Sequence, residues 1–394
     1  MKPVLPTGYD YDVCDSTIFQ QIKIENGEVV LPSGMRYRYL VLPDHARLLP
    51  ADVKEIKRLA EAGATLIGPA PTRSPSLADF PQADQTVRTL AAEIWPADGK
   101  PGERPIGKGR VITGKSFEEI LAADGLTPDF SSQASTDAKI HYIHRILPEG
   151  DLYFVCNLQD RAETAKLRFR TTGRTMEIWD AVTGAIVKNV VATDDGQATS
   201  VTVPLQPHES LIFVFTDKGK TTGTPVAFRE SQPADPQPID GPWSVTFPVD
   251  RGGPPEPVTF DKLTSWTDNA DDRIKHFSGT ATYRKTIPLK KPKSGSKLLL
   301  DLGSLPHLAE VILNGKDLGV VWMKPAVVDI TSAAKSGNNE LEIRVTNVWK
   351  NRMVGDAKLD PAKRITWSNW PFYKGNEPLE VSGLLGPVTI STTK

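Results

Sequence analysis

The sequence is poor in cysteine, in histidine and in long apolar runs. Two cysteines, Cys14 and Cys156, stand far apart in a chain of 394 residues. They make neither a metal-ligand spacing nor a disulfide framework, and read as two buried thiols. No run approaches the ~20 apolar residues that span a bilayer, so no membrane partner is expected. Neither sign of charge is in excess: 47 Lys and Arg against 48 Asp and Glu leave a formal net charge of −1. Such a chain has no electrostatic footprint for nucleic acid or for an anionic surface. The opening, MKPVLPTGYDYDVCD, lacks the apolar core of a signal peptide and reads like the middle of a domain. Its Asp10, Asp12 and Asp15 read as turn residues rather than a cation site. Turn formers, in contrast, are plentiful, with 33 prolines and 30 glycines. With few long helical periods, they point to a strand-rich chain of two or three domains.

Residues 1–130 have an α/β pattern. YRYLVL (37–42) suits a buried strand. In LLPADVKEIKRLAEAG, Val53, Ile56, Leu59 and Ala60 share one helical face, Pro50 stands near the start and Gly63 at the end. ATLIG (64–68) is the next strand, so the unit is a parallel crossover. A second helix is expected near 82–95 and a third strand at 110–112. Ser116 and Glu119 are spaced as a capping box for a helix ending at Gly125. The octet GRVITGKS (109–116) matches the phosphate-loop pattern G-x-x-x-x-G-K-[ST]. A phosphate loop needs its strand before the first glycine, whereas here the strand falls inside the motif. Those residues cannot be extended in a sheet and also wrap an anion.

Residues 131–217 change to short alternating strands separated by EGD, TTG, VTG and DDG, the pattern of an antiparallel β-sandwich. His141 and His144 differ by three positions, which in a strand puts them on opposite faces, so they cannot chelate one ion together. With His208 they read as structural histidines. Residues 218–238 are polar and rich in Gly, Pro and Thr, a linker or surface strap. Residues 239–394 return to strands, with Asn314-Gly315 as a two-residue hairpin turn. A jelly-roll sandwich fits them.

Trp322, Trp349, Trp367 and Trp370 concentrate in this last part, with Phe372 and Tyr373 close behind. Between them TNVWKNRMVGD supplies Asn347, Asn351, Arg352 and Asp356. Aromatic faces cover the C–H faces of a sugar ring, while amides and charges bond its hydroxyl rim. The same composition also serves a sandwich core plus a domain interface. Glycoside hydrolysis further requires two carboxylates facing across a cleft, and nothing in the sequence places such a pair. No nucleophile elbow or catalytic Ser/His/Asp arrangement is marked either.

Seven stretches, in order, resemble the C-terminal half of the α-L-rhamnosidases of glycoside hydrolase family 106. They are LPTGYDYDVCD, YRYLVLPDHARLLP, EAGATLIGPAPTRSPSL, HFSGTATYRKT, VILNGKDLGVVW, VTNVWKNRMVGD and SGLLGPVTI. The FSGTATYRK strand and the closing SGLLGPVTI also resemble the sugar-binding jelly roll of family 2 glycosidases. The resemblance implies a mixed α/β and all-β multidomain chain. Its parts would be an amidotransferase-like α/β domain (1–130), a β-sandwich (131–217), a linker (218–238) and a galactose-binding-like jelly roll (239–394). The family's (β/α)₈ barrel, with its two catalytic glutamates and assisting calcium, has no counterpart here. No catalytic residue and no metal or cofactor is therefore assigned to this chain. The start lies where the barrel would have ended, as in a truncated or split gene product. Relatives are typically periplasmic or secreted, and the location of this chain stays open.

In family 2 kin an acidic residue shortly before the SG motif contacts sugar; here Glu377 and Glu380 precede Ser382-Gly383. The carbohydrate-contact candidates are thus Asn347, Trp349, Asn351, Arg352, Trp367, Trp370, Tyr373, Glu377 and Glu380. The expected partner is a rhamnose-bearing glycan, framed by a non-catalytic portion of a hydrolase. The alternative is a free-standing carbohydrate-binding or adaptor protein docking on a separately encoded barrel.

Overall fold

The computed structural model describes residues 6–96, 101–217, 228 and 234–393. Two compact units divide the chain, Met1–Ser131 and Ser132–Lys394.

In the first unit, strands Tyr39–Val41, Thr65–Ile67 and Gly109–Thr113 pair in parallel, and Gly102–Ile106 adds an antiparallel edge. Helix Pro50–Ala62 begins with proline, whose fixed φ suits the first turn. It buries Val53, Ile56, Leu59 and Ala60, the face that the 3.6-residue period marked. That face packs with Leu66 and Val111 of the sheet and with Val87, Ala91 and Ile94 of helix Gln82–Ile94. Gly63 closes the first helix at φ +128°, its N–H donating to the Leu59 and Ala60 carbonyls. A small antiparallel sheet of Lys23–Glu25, Glu28–Val30 and Arg36–Tyr37 was not foreseen; its strands are too short to show an alternation. The unit is α/β, but kinship to amidotransferases rests on the resemblance alone.

GRVITGKS is a strand, a turn and a capped helix. Gly109–Thr113 pairs on both sides, and helix Phe117–Ala123 is capped by Ser116. The Ser116 hydroxyl accepts from the Glu119 N–H at 3.2 Å, and the Ser116 N–H donates to the Glu119 carboxylate at 2.8 Å. Gly109 has its own reason to be glycine. A Cβ there would stand 2.3 Å from the Ala64 carbonyl oxygen and 2.5 Å from that of Ala60. The glycine lets the strand approach the end of the first helix, and no phosphate need be invoked. Millimolar ATP with magnesium will leave the melting midpoint unchanged. A rise of several degrees would restore the nucleotide reading, since a ligand selective for the folded state stabilises it.

In the second unit, Gly150–Asn157 runs antiparallel between Ile140–Leu147 and Ser210–Thr216, and Thr175–Trp179 extends that sheet. A second sheet pairs Glu163–Phe169 with Thr199–Leu205. Aromatic rings join the two faces: Phe169 of one sheet lies 4.9 Å from Tyr153 and from Phe213 of the other, centroid to centroid. These inward residues alternate with outward ones along each strand, which is what the sequence pattern required. His144 stacks on Tyr153 at 4.0 Å and bonds Asp151 at 3.0 Å, an ordinary structural placement.

The rest of the unit is a six-stranded and a four-stranded antiparallel sheet. Thr280–Leu289 and Gly337–Thr346 form the centre of the larger one, in register over ten pairs. Between the sheets lie Trp243, Phe247, Trp266, Phe277, Tyr283, Leu300 and Ile343, all nearly inaccessible. Asn314 and Gly315 both take positive φ, +54° and +78°, and turn Leu308–Leu313 into Lys316–Val321. One expectation is corrected in part. Of the linker 218–238, residues 218–227 and 229–233 lie outside the described residues, but Ala234–Pro238 is a strand paired with Thr389–Thr392. Two prolines and polar neighbours hid it, since prolines are tolerated on an edge strand where no ladder donor is needed. Among the described residues no sheet is a closed parallel barrel, and no helix is long and apolar enough to cross a membrane.

Candidate functional site

Three of the motif stretches meet at one end of the larger sheet. Phe277–Gly279 enters the strand Thr280–Leu289, Asn347 follows the strand Gly337–Thr346, and Ser382-Gly383 comes from the last loop. Asn347 accepts from the Gly279 N–H at 2.9 Å and donates to the Phe277 carbonyl at 2.9 Å and the Ser382 hydroxyl at 3.0 Å. Asn351, in helix Lys350–Ala357, is fully buried. Its Nδ2 donates to the Glu380 carbonyl at 2.7 Å and to the Ser382 hydroxyl at 3.1 Å, and its Oδ1 accepts from the Glu380 N–H at 2.7 Å. The two amides close a polar knot in which buried groups find partners, as burial demands.

Two of the candidate contacts, Asn347 and Asn351, therefore spend their polar atoms on protein. Arg352 is also buried, with Nη1 3.4 Å from Asp356, while Nε and Nη2 have no partner among the described residues. Asp356 accepts from the Thr366 N–H at 2.6 Å, the Ile365 N–H at 2.9 Å and the Thr366 hydroxyl at 2.8 Å. It thereby pins the loop that carries the aromatics. All four are buried, and the side chains of Asn347, Asn351 and Asp356 bond the backbone of neighbouring loops.

The aromatics point the other way. Trp367 is 86% exposed and Trp370 66%, Phe372 and Trp349 are also exposed, and Tyr373 is half-buried. The Arg251 guanidinium lies over the Trp349 ring at 5.5 Å. Glu377 accepts from the Lys374 and Gly375 N–H groups at 2.9 and 3.0 Å, and those backbone bonds hold its carboxyl below the ordinary range. Glu380 pairs with Lys350 at 2.9 Å, which likewise lowers it. A general acid must carry a proton at working pH, so neither glutamate is suited to that role as it stands.

The sequence reading missed Ser382, Lys350 and the loop-pinning role of Asp356. Ser382-Gly383 is a sequence motif, but the Asn347 and Asn351 amides that bond its hydroxyl lie more than thirty positions back and no local period connects them. Among the described residues no three His, Cys, Asp or Glu side chains converge as a metal site would require. Cys14 and Cys156 are half-buried thiols, both pushed up by burial and so kept protonated.

The sequence profile of the glycoside hydrolase 106 α-L-rhamnosidases matches residues 1–192, and that of a glycosyl hydrolase 2 galactose-binding-like domain matches 265–375. A rhamnosidase from Novosphingobium sp. PP1Y superposes on all of this chain at TM-score 0.83 with 33% identity, the match covering 37% of that protein. A curated protein of Formosa agariphila, named "Putative beta-glucuronidase", is 24% identical over 98% of this chain and 53% of its own length. The chain thus spans about half the curated relative and just over a third of the rhamnosidase. On the profile and the superposition together, the chain belongs with the α-L-rhamnosidases of glycoside hydrolase family 106 and corresponds to part of their length.

Proposed function

We propose that this chain is a non-catalytic portion of an α-L-rhamnosidase-like glycoside hydrolase. Its buried knot holds the 348–381 loops, and their exposed indoles frame a rhamnose-bearing glycan. The observation that carries the reading is the division of labour between neighbouring residues. Asn347, Asn351 and Asp356 are turned inward and saturated, while Trp349, Trp367 and Trp370 are turned outward. Burial is the normal fate of tryptophan, so three exposed indoles on one pinned segment need a partner surface. A deoxysugar such as rhamnose has an apolar methyl and C–H face that suits such rings. The first unit is scaffold in this reading, because its glycines and capped helix serve packing.

Titration with methyl α-L-rhamnoside, read by tryptophan fluorescence, tests it. Weak quenching that is reduced in Trp367→Ala and in Trp370→Ala is the expected result. Quenching unchanged in both variants would remove the loops from the sugar site.

A further inference from the structure

A second place in the same unit has materials for sugar and lies outside those loops. It is a cleft of about 350 Å³ lined by Leu305, His307, Trp322, Met323, Lys324 and His208. The volume falls at the low end of the ~300–1,000 Å³ usual for small-molecule sites, room for one ring rather than a chain. Trp322 lies at the end of strand Lys316–Val321 and is 60% exposed, a large apolar face left to solvent. Beside it, Lys324 donates to both oxygens of Asp160 at 2.7 and 2.8 Å. His208 stands 3.7 Å from the same carboxylate. His307 makes no hydrogen bond among the described residues, and its Nδ1 is closed off from solvent without a partner. Its other ring nitrogen is then the one left to bond an entering group.

We propose that this cleft is a carbohydrate subsite for a single neutral hexopyranose unit, with Trp322 under the ring and Lys324, Asp160 and His307 on its hydroxyl rim. Neutrality follows from the charge count. Lys324 and Asp160 cancel, and burial holds the His307 ring below the usual imidazole range and so uncharged at neutral pH. An acidic sugar would have to compete with Asp160 for Lys324. The ion pair offers a donor and an acceptor together, as adjacent hydroxyls of a pyranose require. Asp160 and His208 come from the first sandwich and the other groups from the last, so the site exists only when both are folded. This proposal does not rest on the rhamnosidase reading, which concerns the 348–381 loops.

The test is a calorimetric or NMR titration of the whole chain with methyl glycosides of neutral hexoses, and with glucuronate as the charged comparison. Millimolar binding of a neutral glycoside is expected, weakened roughly tenfold by Trp322→Ala, the loss of one stacked ring. His307→Ala should weaken it as well, and Trp367→Ala should leave it unchanged. Trp322 is exposed, so its truncation leaves the core intact. Equal affinity in Trp322→Ala and the parent chain, tighter binding of glucuronate, or no binding at all would each overturn the assignment. Loss only in Trp367→Ala would support the loop face and remove this one.

Discussion

Asn351→Ala will lower the stability of the second unit by about 3 kcal/mol, seen as an earlier urea midpoint with an unchanged slope. Its amide makes three bonds in a fully buried position. Alanine removes the acceptor of the Glu380 N–H and leaves the Glu380 carbonyl only the Ser382 hydroxyl at 2.9 Å, and an unmet interior group costs about 1–3 kcal/mol. Asn351→Asp should be no better, because a carboxylate cannot donate to the Glu380 carbonyl. The contrast is Trp367→Ala, which alters an exposed residue and should move stability by less than about 0.5 kcal/mol. A loss below about 1 kcal/mol in Asn351→Ala would mean that the knot relaxes around the gap, and the loops would not be held as described.

Gly383→Ala should be at least as damaging, costing about 3 kcal/mol or more, or roughly 10 °C in melting midpoint. Gly383 sits at φ +106°, and a Cβ there would lie 2.7 Å from Trp266 Nε1 and 3.0 Å from the Tyr283 hydroxyl. Neither ring can retreat. Trp266 Nε1 donates to the Tyr283 hydroxyl at 2.6 Å, both side chains are inaccessible, and the Leu384 N–H donates to the same hydroxyl at 3.2 Å. Backbone strain and overpacking therefore act together. A melting curve within two or three degrees of the parent would show that the last loop has another conformation available.

These two residues also show where sequence alone runs out. Helix Pro50–Ala62 was legible because its apolar face repeats at the helical period and its ends carry proline and glycine. The Asn314-Gly315 turn and the Ser116 capping box were legible because two or three adjacent positions specify them. The phosphate-loop match failed for the same local reason: the residues inside it have strand character. Asn347 and Asn351 were read as sugar contacts from their type and loop neighbourhood. Their partners are Phe277, Gly279, Glu380 and Ser382, which no spacing rule connects to them. Trp322, Trp349, Trp367 and Trp370 are legible as a cluster, but only the fold shows that they are exposed while Trp266 is inaccessible. The Trp322 cleft was invisible because Asp160 and Lys324 are 164 positions apart. Ala234–Pro238 was hidden because an edge strand tolerates the prolines that elsewhere mark a linker.

On the proposed reading these residues present and hold a sugar-facing surface but do not break the glycosidic bond. Hydrolysis needs a proton donor and a nucleophile or base together across a cleft. Glu377 is committed to backbone amides and Glu380 to Lys350. The most direct measurement is release of nitrophenol from an aryl α-L-rhamnoside by the purified chain. The account predicts no turnover above the uncatalysed background at any pH at which the chain stays folded. Steady turnover that disappears when a single carboxylate of this chain is changed to its amide would contradict it.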